Sequence, residues 1–163
     1  MSQYGPAIRA TVVSRGLARV ADWVLLALVF SLLALAVYGL TGKPLDLVDH
    51  STGQLGADIR EVSLWVVLFV AVTATYEIAM VATRGATVGK QVFGMRVVAY
   101  TDAGLASYAP PGWRVSAKRW LIPGALSLIN LAPIAVAIYL TALLDDSRRG
   151  WHDKFAGTIV VKD

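Results

Sequence analysis

Three stretches of this chain run almost without a break through apolar residues, at about 20–40, 62–83 and 120–144. At 1.5 Å of helix per residue, each is long enough to cross the ~30 Å hydrocarbon layer of a bilayer. The first two predict uninterrupted membrane-spanning helices. The third opens around Pro123 and Gly124 and is broken by Pro133 beside Asn130. Proline removes a helical hydrogen bond, so this stretch predicts either one kinked span or two shorter helices folded into a hairpin. Arg9, Arg15 and Arg19 before the first stretch, and Ala34-Leu35-Ala36 within it, are also features of signal peptides, but the segment is read as a retained span.

Two shorter segments have a different texture. Gln91–Tyr100 and Gly157–Lys162 are rich in β-branched residues and bounded by Gly or Asp, which predicts strands. If they pair, they share one side of the membrane. Between them, Trp113–Trp120 mixes Arg114, Lys118 and Arg119 with Trp113, Val115 and Trp120, as an interfacial helix does. The expected fold is an all-α polytopic membrane protein, one domain over 1–163, with a small cytoplasmic β-hairpin-like element.

Charge then sets the orientation. Residues 1–20 hold three Arg and no acid, whereas 41–61 hold Lys43 and Arg60 against Asp46, Asp49, Asp58 and Glu61. The connection 84–120 carries six bases against Asp102 alone. Basic loops stay in the cytoplasm, which places the N-terminus and 84–120 inside and 41–61 outside. The tail after residue 144 has equal numbers of bases and acids. A single third span puts it outside, a hairpin returns it inside, and Arg148 and Arg149 directly after the apolar stretch favour inside.

Composition narrows the function classes. With 56% hydrophobic and 16% charged residues in 163, the chain has more apolar surface than a soluble domain of this size buries, and no length is left for a separate catalytic domain. Cysteine is absent, which excludes disulfides, thiol nucleophiles and thiolate metal sites. His50 and His152 are too few for a histidine metal cage. The net charge of +4 fits basic flanks against anionic lipid headgroups, and nucleic acid is not an expected partner. No catalytic group, metal or cofactor is expected.

Two acids fall inside the first two spans, Asp22 and Glu77. A carboxylate at mid-membrane costs roughly 2.5–3.5 kcal/mol unless it finds a partner, a proton or water. Arg15 and Asp22, seven apart, share a helix face, and Arg19 and Asp22, three apart, are within pairing reach. Glu77 is expected to meet this ladder from the second helix, or to be balanced by Arg84 and Lys90. Asp22 and Glu77 are thus the candidate cation or proton site, and the bland alternative is a network that locks the helices together. Arg84–Gln91 falls short of a phosphate-binding P-loop: Gly85 and Gly89 enclose three residues rather than four, and Gln91 replaces the hydroxyl. His152 beside Asp153 lacks any nucleophile that would make it a catalytic dyad, and Asp153 is read as a structural turn residue that could pair with an Arg of the N-terminal ladder.

Three stretches together resemble the RDD family of bacterial membrane proteins, named for one arginine and two aspartates. They are Arg15-Gly-Leu-Ala18-Arg19-Val-Ala-Asp22, then Gly85-Ala-Thr87-Val-Gly89-Lys90-Gln-Val-Phe-Gly94-Met-Arg96-Val-Val, and Arg149-Gly-Trp-His152-Asp153-Lys154-Phe-Ala-Gly157-Thr158-Ile-Val-Val. Their order is the family's, and Gln91 departs from it where a basic residue is common. With Glu77 from the charge reading, these stretches give a motif and charge network of Arg15, Arg19, Asp22, Glu77, Lys90, Arg149 and Asp153, and the resemblance implies a multi-pass protein of the bacterial plasma membrane. It also implies an association with transport of ligands not yet identified. Two functions follow as expectations: transport of a cation or small solute, or an accessory role in a larger membrane complex. Either way, the lipid bilayer and further copies or other subunits are the expected partners, because three or four short helices are scant for a complete transport path.

Overall fold

The computed structural model describes residues 8–42, 59–101, 104–128 and 137–162. Helix α1, Val12–Thr41, begins where the Thr11 hydroxyl accepts from the Ser14 amide at 3.1 Å, and ends where the Gly42 amide donates to the Tyr38 carbonyl at 2.8 Å. Helix α2, Ile59–Arg84, stops at Gly85, whose φ of 73° L side chains rarely adopt. Both helices are long and apolar enough to cross a membrane, over Val12–Thr41 and Ser63–Arg84. Phe30 and Phe69 tie them together, with ring centroids 4.9 Å apart.

A short helix α3, Val88–Val92, follows, capped by the Thr87 side chain. Strand β1 therefore starts at Met95 rather than at Gln91. Thr87 starts a helix that β-branched content alone does not reveal, and Gly94 at φ 59° turns the chain out of it. Strand β2 is Gly104–Ser107, and β3 is Thr158–Lys162. The sheet has the order β2-β1-β3 and is antiparallel throughout, with Met95 opposite Lys162 and Ala99 opposite Thr158. The expected two-segment element is thus a three-stranded sheet, and its free edge takes on the N-terminal segment. Arg9 bridges Val161, the Ala10 amide donates to the Val160 carbonyl at 3.2 Å, and the Lys162 amide donates to Ile8 at 2.8 Å.

This pairing places the tail relative to the N-terminal segment. Residues 8–10, β1 and β3 are hydrogen-bonded neighbours, so the start and end of the described chain lie on one side of any membrane that α1 and α2 cross.

Helix α4, Gly112–Leu128, joins the expected interfacial stretch to the start of the third apolar one, with Pro123 inside it. Residues 129–136, with Asn130 and Pro133, lie outside the described residues, so a third span is not established. Helical residues 137–140 and a 3-10 turn, Thr141–Leu143, lead to α5, Trp151–Ala156.

The buried apolar core sits where the helices meet the sheet: Ala10, Ala18, Val81, Met95, Val97 and Val160 form one cluster. A second joins Val98, Ile159 and Val161, with Tyr100 and Tyr108 against it. Farther along α1 the side chains turn outward, and Leu40 is 88% exposed.

Candidate functional site

Asp22 is buried on α1 and has three donors of its own. Tyr76 from α2 donates its hydroxyl to Oδ1 at 2.7 Å, the Gly89 amide of α3 donates to the same oxygen at 2.8 Å, and the Thr87 hydroxyl donates to Oδ2 at 2.7 Å. A carboxylate held by a backbone amide and two hydroxyls is stabilised without a cation in contact. Asp22 therefore fastens the turn after α2 onto α1.

That fastening needs a glycine at position 89. A Cβ there would run into the Ala18 carbonyl of α1 and stand 2.9 Å from the Asp22 carboxylate. Backbone on one side and a bonded carboxylate on the other leave no cheap way to yield. Gly89→Ala is expected to cost roughly 1–3 kcal/mol as an overpacked contact, read as a lower melting temperature in detergent. Gly16→Ala, at a helical site with nothing within 4 Å of the added carbon, is expected to be neutral or stabilising by ~0.5–1 kcal/mol.

Arg19 turns away from Asp22. Its Nη1 and Nη2 donate to Glu77 Oε2 and Oε1 at 2.7 and 3.0 Å, a two-pronged pair across α1 and α2. Nη2 also donates to the Tyr139 hydroxyl at 2.5 Å, and the guanidinium lies 4.7 Å from that ring's centre. The expected ladder is thus divided: Arg19 serves Glu77, while Arg15 reaches across the fold to Asp153.

Asp153, in the first turn of α5, is fully buried and is the hub of the site. Arg15 Nη1 and the Gly150 amide donate to Oδ2, each at 3.3 Å, and Arg119 Nη2 of α4 pairs with Oδ1 at 2.8 Å. The Thr158 hydroxyl at the start of β3 donates to Oδ1 at 3.5 Å. Burial alone would raise this carboxyl, but Arg119 and Arg15, with the Gly150 amide, outweigh it and hold it below the ordinary range. One side chain thus connects α1, α4, α5 and the sheet.

His152 sits between Arg119 and Tyr139. Burial, reinforced by Arg119 and Arg19 and opposed by Asp153, pushes its imidazole down to about 3, so the ring is neutral at physiological pH. Arg119 Nη2 lies 3.3 Å from Nε2, which as the acceptor leaves the proton on Nδ1. Lys90 is buried in α3 with Nζ 3.2 Å from the Thr87 hydroxyl, and burial pushes its ammonium down to about 8. Arg149 stands apart from these groups: its guanidinium stacks 4.6 Å from the Tyr100 ring centre, and its amide donates to Asp145 at 2.8 Å.

Of the seven residues of the motif and charge network, the structure therefore brings six into one region and leaves Arg149 beside the sheet. It adds Arg119, Tyr76, Thr87, Tyr139 and His152, which sequence reasoning did not assign to the site. For Arg119 a signal existed: Ser116, Arg119 and Pro123 follow helical spacing and are all buried, while Trp113, Arg114 and Lys118 are exposed. Among the described residues, no three His, Asp or Glu side chains gather as a metal ion would require.

The model of the RDD family matches residues 9–157. No curated protein and no solved structure matches the chain.

Proposed function

Since the chain belongs to the RDD family, whose members are membrane proteins, we propose that it is a non-catalytic accessory subunit of the bacterial plasma membrane. It passes the bilayer more than once with its N-terminus in the cytoplasm. The exposed apolar flanks of α1 and α2 join it to further copies or to a larger membrane complex. The observation that carries this reading is the engagement of the acids within the chain. Asp22 accepts three hydrogen bonds and Glu77 is held by both prongs of Arg19, so neither presents a bare carboxylate to a passing cation. The charges work inward as a frame, and the surface left over is apolar.

A second reading, transport of a cation or small solute, rests on the depth of the same groups. Arg19, Asp22 and Glu77 all lie within the candidate spans, where charge is costly and is usually retained for function. Asp22→Asn separates the two, because asparagine keeps the shape and loses the charge. For an accessory subunit, the purified protein in liposomes passes no cation, and Asp22→Asn lowers abundance and the recovery of a stoichiometric partner in mild detergent. Cation flux through the unaltered protein alone, lost in a folded and inserted Asp22→Asn, would replace the accessory role with transport.

A further inference from the structure

The charge of the buried network does not sum to zero. Among the described residues it joins four cations, Arg15, Arg19, Lys90 and Arg119, to three carboxylates, Asp22, Glu77 and Asp153, and His152 is neutral. Every oxygen of those carboxylates already accepts a hydrogen bond.

The donors are not matched in the same way. Arg119 is 5% exposed, yet its Nε and Nη1 have no partner among the described residues. Ser116, 3% exposed, likewise has an unpaired hydroxyl, and its spacing of three from Arg119 puts both on one face of α4. Lys90, 6% exposed, has three ammonium protons and meets the Thr87 hydroxyl with one. Lys90 and Arg119 are within electrostatic reach of each other and of Glu77.

A surplus of one positive charge, with donors to spare and acceptors filled, is the reverse of a cation site. Buried donors are almost always satisfied by protein, water or ligand, and a buried charge by an opposite charge. We propose that Arg119, Ser116 and Lys90 bind one singly charged anion, which accepts from a free N–H group of Arg119, the Ser116 hydroxyl and the Lys90 ammonium. Asp153 occupies Arg119 Nη2, so the anion accepts from Nε–H or from Nη1–H, the two donors that flank it. The ligand class is a halide or a phosphate oxyanion, drawn either from solution or from the phosphodiester of a lipid headgroup. This inference stands independently of the accessory role.

The test is a melting experiment on the full chain in detergent at constant ionic strength. Gluconate serves as the bulky reference anion and is exchanged stepwise for chloride or inorganic phosphate; in a separate arm phosphatidylglycerol is added. The melting temperature is expected to rise and saturate, because a ligand that binds the folded state alone stabilises it. Ser116→Ala should move the half-saturating concentration up by about tenfold, the effect of one lost hydrogen bond. Lys90→Gln balances the charge without a ligand, so it should melt cooperatively and lose most of the response. A rise with inorganic anions assigns the free ion, and a rise with the lipid alone assigns the headgroup. Identical melting in gluconate, small anions and anionic lipid would overturn the site, as would either variant responding like the unaltered protein.

Discussion

Asp153→Ala is expected to lose roughly 3–5 kcal/mol of stability, enough to remove most of the folded protein from the membrane. The size follows from what the change leaves behind. Arg15 and Arg119 both direct N–H groups at this fully buried carboxylate, at 3.3 and 2.8 Å, and without it two guanidiniums remain desolvated and lose the carboxylate they share. Breaking a buried pair from one side costs far more than the pair contributes net, because the surviving charge cannot return to water. The Gly150 amide and the Thr158 hydroxyl lose their acceptor as well, so the entry into α5 and the start of β3 loosen together. Abundance of a fluorescent fusion and its elution profile in detergent read this directly. Lys154→Ala is the matching control. Lys154 also pairs with an aspartate, Asp145 at 2.7 Å, but its side chain is 44% exposed, and loss of such a surface pair costs at most about 1 kcal/mol.

The parts of this structure legible in the sequence are those that depend on local composition. Long apolar runs produced α1 and α2, and β-branched content located most of β1 and β3. Acids inside apolar runs marked Asp22 and Glu77 as needing partners. The partners themselves were less visible, because the spacing rule for Arg19 and Asp22 treats neighbours on one helix, and the fold offered each something better from another element. Arg19 found Glu77, 58 positions away, while Asp22 found an amide and two hydroxyls, neutral donors that charge counting passes over. Arg119 was hidden by its company: three bases within 114–119 read as a headgroup-facing patch, and only helical phase separates the buried one from the two exposed. The side of the tail depended on strand pairing between ends of the chain, which no local pattern encodes.

Glu77→Met is the second large effect, again of roughly 3–5 kcal/mol, since Arg19 loses both of its acceptor oxygens at partly buried positions of α1 and α2. Tyr139 still accepts from Arg19 Nη2, but a neutral hydroxyl does not replace a carboxylate. Arg19→Met should be comparably damaging, because it leaves Glu77 as the stranded charge. Replacing both by methionine removes the charges together and puts apolar volume where they met, so the double variant should recover most of the stability that either single change loses.

The most direct measurement of whether these helices are joined by internally satisfied charge is therefore the double-mutant cycle on Arg19 and Glu77, from melting of all four proteins in one detergent. A coupling energy of about 2 kcal/mol or more, with the double variant more stable than both singles, is the predicted result. Additive losses, leaving the double variant the least stable of the four, would contradict it.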